Sequence, residues 1–204
     1  YMFKNSNQFR RLRKQGLNCK VYEKGTAAGG VWYWNCYPGA RVDSDSLLYQ
    51  IFDKELCEDY TFTEKYPAWQ ELQAYFRYVE KKWHISNDIV YNKNVDNALF
   101  NQEQKRWLVK CSDGSKVYTR WLIPAVGFAA RRYTPNIKGL SDFKGECFHT
   151  GAWPQYGVNL EDKRIAVIGT GASGIQICQE VGPIAAHLTI FQRRPNWAAP
   201  LHNS

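Results

Sequence analysis

The residues with the clearest chemistry are Gly169-Thr170-Gly171-Ala172-Ser173-Gly174, which match the spacing GxGxxG. They follow the apolar run Arg164 to Ile168 directly and open the helical pattern Ser173 to Val181. In that context the string binds the pyrophosphate of a dinucleotide. Each glycine has its own reason: Gly169 permits a tight turn, Gly171 lets the backbone approach the phosphates, and Gly174 lets helix and strand pack closely. The helix N-terminus then offers N–H groups and the positive end of its dipole to the anion. The next strand, Leu188 to Gln192, is followed by Arg193 and Arg194, where an NAD site carries a carboxylate for the ribose hydroxyls. Guanidinium groups pair with a 2′-phosphate that a carboxylate would repel, so this ending favours NADP(H). A solvated charge pair at a strand end is the plainer alternative.

A carboxylate does close an earlier strand. Glu23 follows Cys19 to Tyr22, after a basic helix that ends near Gln15 and is stopped by Gly16. This is the ribose-binding position of an FAD-type unit. Counting back by the same strand, turn and helix lengths leads to Tyr1-Met2-Phe3-Lys4-Asn5-Ser6, which holds no glycine. The phosphate cradle of that first unit is therefore expected to be missing: the chain is a fragment or an altered gene product, or another segment supplies the loop.

These residues need elements to hold them. Ala68 to Trp83 spaces Leu72, Tyr75, Phe76, Val79 and Trp83 along one helical face. The period then changes, and Trp107 to Cys111, the turn Asp113-Gly114 and Lys116 to Val126 read as an antiparallel hairpin. Pro135, Gly139 and Gly145 mark a connecting stretch before the strand, glycine turn, helix and strand of residues 164–192. With 44% hydrophobic and 23% charged residues, the 204-residue chain is an ordinary globular one, long enough for one domain and part of another. No apolar run approaches a membrane span and no signal peptide opens the chain, so a cytoplasmic protein with no membrane partner is expected. The 6 cysteines form no CxxC pair and no cluster with histidine, which speaks against a metal site or a disulfide framework. The net charge of +8 is spread in short groups such as Arg10-Arg11 and Arg131-Arg132. No nucleic-acid motif accompanies it, and anionic dinucleotides explain its sign.

Three blocks together carry a family likeness. The first is Gly29-Gly30-Val31-Trp32-Tyr33-Trp34-Asn35-Cys36-Tyr37-Pro38-Gly39-Ala40-Arg41-Val42-Asp43, and the second is Phe143-Lys144-Gly145-Glu146-Cys147-Phe148-His149-Thr150-Gly151-Ala152-Trp153-Pro154, which fits FxGxxxHTxxWP. The third is the glycine turn continued through Ile175 and Gln176, with Phe191-Gln192-Arg193 following. On these residues the chain resembles the Baeyer–Villiger monooxygenases, a branch of the flavin-containing monooxygenase superfamily, from about Phe9 to its end. The resemblance implies an α/β, Rossmann-like fold that binds two dinucleotides, incomplete here, with an antiparallel β hairpin or meander inserted in the FAD domain. It implies a partial FAD-binding domain over residues 1–148, an interdomain link over 149–162 and the start of an NADP-binding domain over 163–204.

The resemblance also implies roles. Glu23 would bond the FAD ribose, while Val31, Trp32, Tyr33 and Trp34 would line the flavin with Tyr49 and Val95. Arg41, Val42 and Asp43 would lie where flavin and nicotinamide meet, with Asp43 orienting a catalytic arginine expected beyond Ser204. Thr170, Gly171, Ala172, Ser173, Gly174, Ile175 and Gln176 would hold the NADP pyrophosphate, with Arg193 and Arg194 at the 2′-phosphate. The second of those positions is commonly Thr in the family. His149 and Trp153 would couple domain motion to catalysis. The implied reaction uses NADPH to reduce FAD and O2 to convert a ketone to an ester or lactone; the cofactors supply the hard chemistry. Other readings of the same residues stand beside these. Trp32 and Trp34 also suit a core, and Asp43-Ser44-Asp45-Ser46 suits a helix cap before Leu47-Leu48. Competing functions are a non-catalytic NADP(H)-binding remnant and a flavin monooxygenase acting on nitrogen or sulfur, the latter disfavoured by the HTxxWP block.

Overall fold

The computed structural model describes residues 2–127, 129, 131–200 and 202–203, with side chains from residue 8 onward. Tyr1 and the side chains of residues 2–6, where the missing phosphate cradle is expected, lie outside the described set, as do Phe128, Ala130, Leu201 and Ser204. In chain order the elements are α1 (Met2–Lys14), β1 (Val21–Tyr22), the single turn α2 (Val31–Trp34), α3 (Lys54–Asp59) and α4 (Trp69–Lys82). Then come β2 (Ile89–Val90), β3 (Val95–Asn101), β4 (Arg106–Cys111), β5 (Lys116–Thr119), β6 (Arg164–Ile168), α5 (Ala172–Val181) and β7 (His187–Phe191). Contacts group them into two compact units, Tyr1–Tyr33 with Gln73–Ala130 and Trp34–Leu72 with Arg131–Ser204.

In the first unit α4 supplies the buried stripe its sequence spacing predicts: Tyr75, Phe76, Val79 and Trp83 are buried while Arg77, Lys81 and Lys82 are exposed. Burying each such side chain contributes about 1.5–3 kcal/mol. The basic helix α1 is tied to the segment after α4. The Arg10 guanidinium lies 4.7 Å from the centre of the Trp83 ring, and Arg13 reaches Asp88 at 2.9 Å and the His84 carbonyl at 3.1 Å. Gly16 ends α1 at φ +76, and the bonds Leu17 N–H to Leu12 O and Gly16 N–H to Arg13 O complete a Schellman cap that needs a left-handed residue. β1 pairs in parallel with β2 (Val21 with Ile89, Tyr22 with Val90), and the Glu23 N–H extends the ladder to the Val90 carbonyl at 3.0 Å.

β3, β4 and β5 form an antiparallel meander. The Asp113-Gly114 turn sits at the β4–β5 corner, with Gly114 at φ +81. The strand expected to run to Val126 stops at Thr119. Its partner explains this: Thr119 pairs with Trp107, so the next residue reaches the end of β4, and Pro124 offers no N–H to a ladder. The apolar run beyond is exposed, Trp121 by 80% and Val126 by 73%.

The second unit holds the strand, glycine turn, helix and strand read from the sequence. β6 and β7 pair in parallel from Arg164 with His187 to Ile168 with Phe191, and α5 makes the crossover. Along β6, Ile165 and Val167 pack into the core while Ile168 is 63% exposed, the alternation of a strand covered on one face. The core itself comprises Cys36, Tyr37, Ala40, Trp153, Ile177 and Val181, with Phe148, Ile165, Val167 and Leu188 packed against it. The first two sequence blocks thus meet helix α5, which continues the third, in one hydrophobic cluster. Among the described residues no helix is long and apolar enough to cross a membrane.

Candidate functional site

The glycine turn has the geometry its sequence spacing requires. Gly169 sits at φ +105, a conformation that disfavours any side chain, and its N–H bonds the Phe191 carbonyl at 2.9 Å. A Cβ on Gly174 would lie 2.2 Å from the Gly169 carbonyl oxygen, so only glycine lets α5 start this close to the turn. Gly171 is the N-cap of α5, makes no side-chain cap bond, and a Cβ there would meet nothing within 4 Å. Protein packing therefore does not demand glycine at 171, and the backbone there is open to approach. That open face, together with the helix dipole, fits a dinucleotide pyrophosphate.

Two residues given no role in the sequence reading hold the turn. Gln192 donates to the Thr170 hydroxyl at 3.0 Å, and Asn196 donates to the Thr170 carbonyl at 2.8 Å. Arg193 and Arg194, between them in sequence, are both exposed. Gln192 occupies the strand-end position where a carboxylate would bring negative charge, and its amide is neutral. A shallow cleft between α5 and β7 is lined by Thr170, Gly174, Ile175, Cys178, Gln179 and Ile190. Ala172 is exposed, and the Ile175 N–H bonds the Gly171 carbonyl at 3.0 Å.

The loop after Trp34 lies against α5. Tyr37, almost fully buried, donates its hydroxyl to Gln176 Oε1 at 2.7 Å, and Gln176 Nε2 donates to the Arg41 carbonyl at 3.0 Å. Burial pushes the Tyr37 phenol up, a hydrogen bond with Ser173 partly offsets this, and the charge of Asp43 adds to the rise. The Arg41 guanidinium bonds Glu64 at 3.2 Å and the Tyr66 carbonyl at 3.3 Å, and Arg41 bridges Ala68. Val42 is buried and Asp43 exposed. The cap before Leu47 is Asp45, whose carboxylate accepts from the Leu47 N–H at 3.0 Å; Asp43 is not that cap. Tyr49 ends the same short turn.

The second block packs beneath the first. Cys36 Sγ lies 3.6 Å from the Trp153 carbonyl and accepts from Gln155 at 3.2 Å; burial pushes its thiol up, which makes it a poor nucleophile. His149 Nδ1 accepts from the Gly151 N–H at 3.0 Å, which leaves the proton on Nε2 to donate to the Tyr133 carbonyl at 3.1 Å. Both imidazole nitrogens thus brace the connecting stretch.

The remaining candidates, Trp34 apart, belong to the first unit. Glu23 directly follows β1 and its Oε1 accepts from the Gly25 N–H at 2.7 Å. A Cβ on Gly25 would press on the Tyr33 ring at 2.9 Å, and the Tyr33 and Thr26 hydroxyls are hydrogen-bonded to each other at 2.8 Å. This close loop holds the Glu23 carboxylate against its own backbone. Val31 and Trp32 are half-buried, and Gln73 donates to the Trp32 carbonyl at 3.1 Å; Trp34, in the second unit, is half-buried too. Of these aromatics Tyr33 is the buried one. Val95 opens β3, exposed, opposite Cys111.

A family model described as flavin-binding monooxygenase-like matches residues 8–201. The chain is 45% identical over 195 residues to the FAD-binding monooxygenase VdtE of Byssochlamys spectabilis, covering 94% of this chain and 34% of that protein. It is 41% identical over 195 residues to the cyclopentanone 1,2-monooxygenase of a Comamonas species, covering 96% and 36%. It superposes with a TM-score of 0.90 and 34% identity on the cyclohexanone monooxygenase of Rhodococcus sp. Phi1 bound to NADP+, covering 95% of this chain and 36% of that one. The chain spans about a third of the length of these relatives. Its fold is that part of the α/β, Rossmann-like architecture of flavoprotein monooxygenases. The chain belongs to the flavin-binding monooxygenase-like family.

Proposed function

We propose that this chain carries FAD and NADP(H) contacts of a Baeyer–Villiger monooxygenase, an enzyme that uses O2 to convert a ketone to an ester or lactone. The observation that carries the reading is the shared core in which the loop at Cys36–Ala40, the block around Phe148 and Trp153, and helix α5 meet. It joins the glycine turn to the segment leading to Asp43. The names of relatives that act on cyclic ketones support the same reaction class.

In this reading Thr170–Ile175 and the α5 N-terminus hold the NADP(H) pyrophosphate, and Arg193 and Arg194 pair with its 2′-phosphate. Glu23 bonds the FAD ribose, while Val31–Trp34, Tyr49 and Val95 border the flavin. Arg41 and Val42 fix the backbone that presents Asp43 at the flavin–nicotinamide junction, where its negative charge orients a cationic partner. When bound, the two cofactors supply hydride transfer and oxygen activation. Residues 1–148 serve the FAD, 149–162 link, and 163–204 begin the NADP(H) domain. A cytosolic location, with a small-molecule ketone or similar substrate and O2 as reaction partners beside the cofactors and with no nucleic-acid or membrane partner, completes the proposal.

Equilibrium titration of the purified chain with NADPH and with FAD tests this reading. Saturable binding of NADPH, at least tenfold tighter than NADH, is the expected result. Equal, weak binding of both nicotinamide nucleotides would contradict it.

A further inference from the structure

We propose that Gln176 is a positioning residue: its amide fastens the Arg41–Asp43 segment to α5, so that this segment and the glycine turn keep one register. The proposal deepens the dinucleotide reading above and rests on it. It also takes Gln176 out of the set of phosphate ligands.

A glutamine amide has one acceptor oxygen and an NH2 donor group. Here the oxygen accepts from the Tyr37 hydroxyl at 2.7 Å and the nitrogen donates to the Arg41 carbonyl at 3.0 Å. The second bond fixes the orientation of the amide, because a carbonyl can only accept. Both groups face the loop, and Gln176 does not line the cleft beside Thr170 and Gly174. The loop also lies on the α5 backbone: Gly39 is at φ +78, and a Cβ there would stand 2.6 Å from the Gln176 carbonyl oxygen. On its other side the strand-like stretch is held by the Val42 N–H to the Pro67 carbonyl at 3.2 Å and the Trp69 N–H to the Ala40 carbonyl at 2.9 Å. Arg41 is therefore gripped from both sides, and the Gln176 amide is the side-chain link between that grip and the nucleotide helix. Removing it frees the segment without removing a donor from the phosphates.

The test uses Gln176→Leu, Gln176→Glu and Tyr37→Phe, with NADP+ affinity from calorimetry and backbone hydrogen exchange of residues 41–43 measured with and without NADP+. In the wild type NADP+ should slow exchange in this segment. In Gln176→Leu the NADP+ dissociation constant should stay within threefold, exchange at 41–43 should rise at least tenfold, and the NADP+-dependent protection should vanish. Tyr37→Phe keeps the Arg41 bond and should fall between the two, which retains a test if Gln176→Leu fails to fold. Gln176→Glu should exchange fast at pH 8 and regain protection, after correction for intrinsic rates, as acid protonates its carboxyl and restores a donor to Arg41. A merely structural role does not predict that pH profile. Tenfold weaker NADP+ binding with unchanged exchange would make Gln176 a ligand and overturn the proposal, as would unchanged exchange alone. A wild type that binds no NADP+ would instead bring down the dinucleotide reading.

Discussion

Gly171→Ala separates a ligand site from a merely structural turn. The residue has φ −70 and ψ −178, extended backbone that alanine adopts without strain, and its added methyl would meet nothing within 4 Å. Two small effects on stability oppose each other. Alanine narrows the unfolded ensemble, favourable by about 0.4–1 kcal/mol. It is also a poorer N-cap than glycine, by roughly the same amount. The net change stays within about 1 kcal/mol, or a Tm shift of about 2–4 °C at most for a chain of this size. Binding responds differently. A phosphate oxygen must come within about 2.9 Å of a backbone N–H, and the methyl occupies that approach. Losing one charge-assisted bond costs about 1.5–3 kcal/mol, which weakens NADP+ roughly 10- to 150-fold. Gly174→Ala is the contrast: with its Cβ 2.2 Å from the Gly169 oxygen, the turn must shift and stability falls too, by about 1–3 kcal/mol. Calorimetric titration with NADP+ and thermal melts of the three proteins provide the assay. An NADP+ affinity for Gly171→Ala within twofold of wild type would refute the assignment of the turn.

Arg193→Ala should weaken NADPH by about 1.5–3 kcal/mol while leaving NADH unchanged, read by paired titrations; an equal loss for both nucleotides would place the arginine elsewhere than the 2′-phosphate. Asp43→Ala should leave the melting temperature unchanged because the residue is exposed and caps nothing, yet impair oxygenation in the full-length enzyme. Asp45→Ala, which removes the bond to the Leu47 N–H, should cost stability of about 1 kcal/mol. The Lys93 ammonium, and then Ser115, hold the Asp113 carboxyl well below the usual carboxylate range. Its stabilisation is present above the ordinary carboxylate pKa and is lost as pH falls through the lowered one. Asp113→Asn should therefore melt earlier than wild type at pH 7, with the gap closing only below about pH 4; a gap already absent at pH 5 would contradict this.

The parts of the fold legible in the sequence are those whose signals are local. A glycine string between an apolar strand and a helix specifies its own geometry, and Gly169 and Gly174 take the positions that spacing assigns. The helical spacing of Leu72 to Trp83 fixes the buried face of α4 in the same way. What escaped depends on distant partners. β3 begins Val95-Asp96-Asn97, residues with little strand preference apart from the valine, and owes its form to backbone pairing with β4. The run at 121–126 is apolar enough to read as strand, but β4 ends before it can be paired. At the site, the blocks around Tyr37 and Trp153 and the helix after the glycine turn were visible one by one, while the meeting of Tyr37, Trp153 and Ile177 in a single core was not. Asn196 lies in no motif and Gln192 had no assigned role, and their hold on Thr170 emerges only from the fold. Asp45 won the cap position from Asp43 because its carboxylate lies two residues from the Leu47 N–H, the reach of an Asx turn.

The most direct measurement is isotopic. The full-length protein containing these residues, saturated with FAD, would be supplied with NADPH, 18O2 and a cyclic ketone such as cyclopentanone, and the product analysed by mass spectrometry. The expected result is a lactone carrying one 18O atom, formed in step with NADPH consumed. NADPH oxidation that yields no labelled ester or lactone from any ketone, together with oxygen transfer to an amine or sulfide, would contradict the assignment to the Baeyer–Villiger class.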